Sequence, residues 1–165
     1  MKKNKIAFQG ELGAYSHIAC NSLFKNAEIK TCSTFEETFK IAYEDEEFKI
    51  VIPLENSLAG RVADIHYLLP KYKLQIHGEH FQVVEHNLIA RPEAEMKNIK
   101  SVRSHAQAIG QCQKIIMNNK YKTIISADTA GSAKDLAEGN DNSIAAIASK
   151  LSAEIYKLKI LKENI

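Results

Sequence analysis

Cysteine is scarce in this chain. Cys20, Cys32 and Cys112 are odd in number, lie far apart and form no Cys-x-x-Cys pair, so reduced thiols are expected rather than a disulfide framework. Cys112 shares a helical face with Ala108, Ile109, Ile115 and Ile116, and Cys20 sits similarly with Leu23, Phe24 and Ala27, so both read as small buried hydrophobes. Long apolar runs are lacking too. No stretch approaches the roughly 20 apolar residues of a membrane span. The apolar run within the opening MKKNKIAFQGELG ends after about three residues, short of the roughly 7–15 of a signal-peptide core. Nor is one charge in excess: 22 basic residues against 20 acidic leave +2, with the basic residues dispersed, which argues against nucleic acid or a membrane surface as partner. A soluble, cytoplasmic protein is expected.

Two ligand classes are disfavoured by what the motifs omit. The segment GELG (10–13) has neither the lysine of a phosphate-binding loop nor the third glycine of a dinucleotide fingerprint. There are six histidines, but His77 and His80 of HGEH fall in an extended run, where that spacing turns them to opposite sides, so no metal site is expected.

What is present is alternation. The 165 residues, 45% hydrophobic and 25% charged, suffice for one core or two small lobes. Strand-like runs at 5–9, 28–33 and 49–53 alternate with helical periods at 14–26, 33–46 and 60–70, the last ended near Pro70. Ser33 followed by Glu36 fits a capping box at the second helix start. Residues 73–92 read as extended chain crossing between two regions. Alternation then restarts, with strands at 101–104, 122–126 and 144–148 and helices at 106–119, 130–139 and 150–158. Two such runs imply two α/β lobes.

In α/β sheets, ligands gather where strands hand over to helices. KIVIPLENSLAGRV (49–62) breaks from an oily strand into Glu55, Asn56 and Ser57 at such a joint, where free backbone N–H groups and short polar side chains can receive an anion. QGELGAYSH (9–17) turns on Gly10 and Gly13 and brings Ser16 near a helix start. RSHAQA (103–108) and ADTAGSA (127–133) end likewise in small or hydroxyl residues. Ser16, Ser104 and Thr129 could each simply cap a helix; His105 could cap, pack or touch a ligand.

Taken in order, IAFQGELGAYSH, VIPLENSLAGRVADIHYLL, SHAQAIGQC, ADTAGSAKDLAEG and IAAIASKLSAEIYKL closely resemble the motifs of the prephenate dehydratase catalytic domain, in a bacterial, α-proteobacterial-like form, over nearly the whole chain. The resemblance implies two α/β lobes with a cleft between them, like type II periplasmic binding proteins. Lobe one would occupy 1–72, without its returning C-terminal strand, and the crossover and second lobe 73–165. It implies a carbon–oxygen lyase of phenylalanine biosynthesis that converts prephenate to phenylpyruvate with no cofactor and no metal, and a homodimer. By position, Asn56, Ser57, Ser104, His105, Gln107, Thr129 and Ala130 would bind substrate, Gly10, Gly13 and Ser16 would shape the opposite wall, and Ser104 and Thr129 are the catalytic candidates. Glu55 would orient its loop rather than face an anion. Ala106 and Leu12 depart from the family pattern. The family's Thr-Arg-Phe motif, whose threonine is its main catalytic hydroxyl, and its regulatory ACT domain would follow a segment like LKILKENI (158–165), so an incomplete, weakly active or inactive form is expected. The alternative is a non-catalytic module holding a small dicarboxylate.

Overall fold

A computed structural model describes residues 3–165. The chain divides into two compact units. The first comprises residues up to Glu11 and Tyr15–Gln82, and the second Leu12–Ala14 and Val83–Ile165.

The first unit is built on β1 (Lys5–Gln9), whose Ile6, Ala7 and Phe8 are fully buried. An unbroken apolar run of this kind suits a central strand covered on both faces. β2 (Glu28–Cys32) and β3 (Phe48–Ile50) pair with it in parallel, one on each side. Parallel neighbours require crossovers, supplied by α1 (Tyr15–Leu23) and α2 (Phe35–Glu44). The α2 cap lies one residue beyond the expected Ser33 and Glu36. Thr34 Oγ1 accepts from Glu37 N at 3.1 Å, and Glu37 reaches back to Ser33 N at 2.8 Å. Glu36 is thereby freed to accept from Lys71 Nζ (2.6 Å) and Tyr72 Oη (2.7 Å).

Residues 55–61 correct the expected strand-to-helix joint. Glu55–Asn56 (β4) and Gly60–Arg61 (β5) form an antiparallel hairpin, and the helix, α3 (Ala63–Tyr72), starts after it. Pro70 lies inside α3 instead of ending it. Only one ladder bond is forfeited so near the terminus, while Tyr72, two residues on, packs on Phe39 at 5.9 Å between ring centroids. Residues 74–86 have no regular secondary structure.

In the second unit the sheet order is β10-β6-β9-β7-β8. β7 (Ser101–Ser104), β8 (Lys122–Ile125) and β9 (Ile144–Ala148) run parallel, while β6 (Asn87–Ala90) is antiparallel to β9. β10 (Lys159–Lys162), a strand not anticipated from sequence, closes the far edge antiparallel to β6. Alternation along the central strands splits the core in two. Leu88, Val102, Ala145 and Ile147 face α4 (Ala106–Gln111) and α5 (Gln113–Asn119). Ile89, Ala146 and Ala148 face α6 (Thr129–Glu138) and α7 (Lys150–Ile155).

The single helix expected over 106–119 is interrupted at Cys112. Gln113 turns its side-chain amide to the Ile109 carbonyl at 3.3 Å, the acceptor its backbone N–H would use in an unbroken helix. Among the described residues no helix is long and apolar enough to cross a membrane.

Candidate functional site

Because β8, β7 and β9 are parallel and in register, their carboxyl ends and the helices that follow them emerge at one edge of the second sheet. Ser104 lies opposite Ile125, and Arg103 opposite Ala146. Five of the expected site residues belong to this edge: Ser104, His105, Gln107, Thr129 and Ala130.

Ser104 and Thr129 do not cap the helices that follow them, and of the roles open to His105 the structure shows the cap. His105, not Ser104, caps α4: its Nδ1 accepts from Gln107 N at 3.3 Å. A neutral imidazole accepting at Nδ1 carries its proton on Nε2, which is left as a donor. Asp128, not Thr129, caps α6, with Oδ1 accepting from Gly131 N at 2.6 Å. Capping therefore does not account for Ser104 or Thr129.

What the two hydroxyls do instead differs. Ser104 is fully buried, and its Oγ donates to the Ile147 carbonyl at 2.7 Å, tying β7 to β9. Thr129 is half-buried in the first turn of α6, and among the described residues its hydroxyl has no hydrogen-bond partner. Ala130 is fully buried beneath it. A free hydroxyl at a helix start can donate to an anion alongside the positive end of the helix dipole.

Gly13 also belongs to this unit. Its φ of +93° suits glycine, and its carbonyl accepts from Ser149 Oγ (2.6 Å) and Ser152 Oγ (3.0 Å). Both serines are buried at the start of α7, and sequence reasoning missed them. The signal for Ser149 was a serine directly before a helical period, which marks an N-cap; Ser152, inside the helix, had none.

The remaining candidates lie in the first unit. Asn56 Oδ1 accepts from Leu58 N and Ala59 N, both at 2.9 Å, so this side chain closes the β4–β5 turn. Ser57 is exposed at the turn, with no partner among the described residues. Gly10, at φ +116°, donates its N–H to the Cys32 carbonyl at 2.9 Å, and Ser16 is half-buried in the first turn of α1.

Burial raises the thiols in the core. It pushes the Cys20 thiol up to about 12 and Cys112 to about 11, which leaves both inert as nucleophiles. Among the described residues no group of three or more His, Cys, Asp or Glu side chains could hold a metal ion.

A family model described as prephenate dehydratase matches residues 6–165. The chain belongs to the prephenate dehydratase family. It is 39% identical over 160 residues to a bifunctional N-acyl-homoserine lactone acylase/prephenate dehydratase of Komagataeibacter europaeus, covering 97% of this chain and 57% of that protein. It is 35% identical to arogenate dehydratase/prephenate dehydratase 2 of Arabidopsis thaliana, covering 98% of this chain and 42% of that one. The structure of prephenate dehydratase in complex with L-Phe from Arthrobacter aurescens superposes with a TM-score of 0.87 at 26% identity, covering 98% of this chain and 55% of that one. The chain thus spans about half the length of these prephenate dehydratase relatives. Two α/β lobes are the fold it shares with them.

Proposed function

We propose that the protein is a prephenate dehydratase whose second unit holds substrate at the carboxyl edge of β7, β8 and β9. The observation that carries the reading is the unpartnered Thr129 hydroxyl at the start of α6, in a chain matched to the family over 6–165. Prephenate bears two carboxylates, and Thr129 Oγ1 with His105 Nε2–H are donors suited to receive one of them.

The reaction is redox-neutral. The bond from the ring to its carboxylate breaks and releases carbon dioxide. Its electron pair enters the ring, the ring carbon–oxygen bond breaks, and the departing hydroxyl takes a proton to leave as water. Aromatisation drives the step, and the protein's task is to supply a hydrogen bond or proton to the leaving oxygen. Thr129 has a hydroxyl free for this, whereas that of Ser104 is engaged by Ile147. No Thr-Arg-Phe occurs within the 165 residues. The reading includes a cytoplasmic homodimer, and the near balance of 22 basic and 20 acidic residues supports its having no nucleic-acid or membrane-surface partner.

The test is ultraviolet detection of phenylpyruvate from prephenate, comparing the chain with its Thr129→Val variant. Turnover that falls in the variant supports the reading. Turnover unchanged in the variant, or none from the wild type, refutes it. A second reading, amide hydrolysis of N-acyl-homoserine lactones, is supported by the 39% identity to the Komagataeibacter protein, and release of fatty acid from such a lactone, without phenylpyruvate formation, would favour it.

A further inference from the structure

The Gly13 carbonyl is gripped by two buried hydroxyls. Ser149 Oγ donates at 2.6 Å and Ser152 Oγ at 3.0 Å, while the two oxygens lie 3.1 Å apart. The approach is close enough to require glycine. A Cβ on Gly13 would fall 2.5 Å from Ser152 Oγ and 2.7 Å from Ser152 Cα. The peptide plane between Gly13 and Ala14 is therefore fixed from its carbonyl side. The described chain has no cis peptide bonds, so in this planar unit the Ala14 N–H points opposite to the Gly13 carbonyl, away from the serine pair. Among the described residues that N–H has no partner. Ser149 directly follows β9, whose neighbour β7 ends at Ser104, so the gripped peptide belongs to the same sheet edge as His105 and Thr129.

We propose that Ser149 and Ser152 are positioning residues for substrate: by holding the Gly13 carbonyl they aim the Ala14 N–H as a fixed anion donor. The assignment rests on the dehydratase reading above, and it adds two residues that touch no substrate themselves. Their duties differ in a way that permits a clean test. Ser149 Oγ also accepts from Ser152 N at 3.0 Å, so it caps α7 as well as gripping Gly13. The Ser152 hydroxyl has no part in that cap.

The experiment titrates the ¹⁵N-labelled 165-residue chain with phenylpyruvate, recording both affinity and the Ala14 amide resonance, with melting measured in parallel. In the wild type, ligand is expected to shift the Ala14 amide. Ser152→Ala removes one grip and leaves the cap. It should weaken binding about three- to tenfold, as expected for one lost hydrogen bond, and displace the free-state Ala14 resonance, with a smaller fall in melting temperature than Ser149→Ala, which loses the cap as well. Ser149→Ala should lower both affinity and melting temperature, and Ser149→Thr, which keeps a hydroxyl and a cap, should restore both. If Ser152→Ala fails to fold, the Ser149→Ala and Ser149→Thr pair decides through the Ala14 shift. Wild-type binding that neither alanine variant changes would overturn the positioning role and leave the dehydratase reading standing. A wild type that binds no phenylpyruvate would overturn that reading, and the positioning role with it.

Discussion

His86 shows how one buried residue sets a pH limit on the fold. It is 8% exposed, with Nε2 2.9 Å from Gln111 Oε1, and burial lowers its pKa below the ordinary 6.5 even though the Gln111 hydrogen bond opposes the shift. In the unfolded chain the same imidazole titrates near 6.5, so the unfolded state takes up the proton first. The contribution to stability is therefore complete above about pH 6.5, declines as pH falls through 6.5 towards the folded value, and levels off below it. His17 is shifted in the same direction by burial. Urea titrations between pH 5 and 8 should show this decline, and His86→Gln should flatten part of it. An unchanged pH slope would place the decline elsewhere. Legibility at this scale depended on whether a side chain's partner is local. The burial of Cys20 and Cys112 could be read from helical spacing. The use of Ser104 could not be read, because the carbonyl it ties down is 43 residues away.

Among the elements, α4 offers the most direct prediction. Gly110 lies in its last turn, exposed, with nothing within 4 Å of where a Cβ would stand. Glycine there loses backbone entropy and packs nothing, so Gly110→Ala should stabilise by about 0.5–1 kcal/mol, raising the melting temperature by about 1–4 °C. A fall in melting temperature would show that the break at Cys112 needs the glycine. The strands best read from sequence, β1 and β9, are central, and burial on both faces demands the continuous apolar runs KIAFQ and IAAIA. The α2 cap was misplaced by one residue because Ser33-Thr34 followed by Glu36-Glu37 contains two overlapping boxes, and only packing decides between them. The β4–β5 hairpin escaped notice because two residues per strand carry no period. Arg91 secures the other end of α6, donating to the Gly139 carbonyl and, at 3.0 Å, to Asn142 Oδ1. A charge two or three residues past a helix end is a recognisable C-terminal signal, but Arg91 comes from β6's own flank and its partners are distant in sequence.

For the whole molecule, alternation of strand and helix was enough to indicate α/β architecture, and the ordered motifs were enough to indicate the family. The antiparallel placement of β6 and β10 was not legible, because strand direction follows from long-range pairing rather than from local pattern. The candidate site was legible as a set of joints and illegible as a division of labour: His105 and Asp128 cap, Ser104 ties strands, and Thr129 alone of the two catalytic candidates keeps a free hydroxyl. Central to the proposed function is contact between this hydroxyl and the substrate. Calorimetric titration of the 165-residue chain with prephenate, wild type against Thr129→Val, tests it most directly. A hydrogen bond to a charged group contributes roughly 1.5–3 kcal/mol, so wild-type binding should weaken by about tenfold or more in the variant, with melting unchanged because Asp128 still caps α6. Equal affinity in the two proteins, or no binding by the wild type, would contradict it.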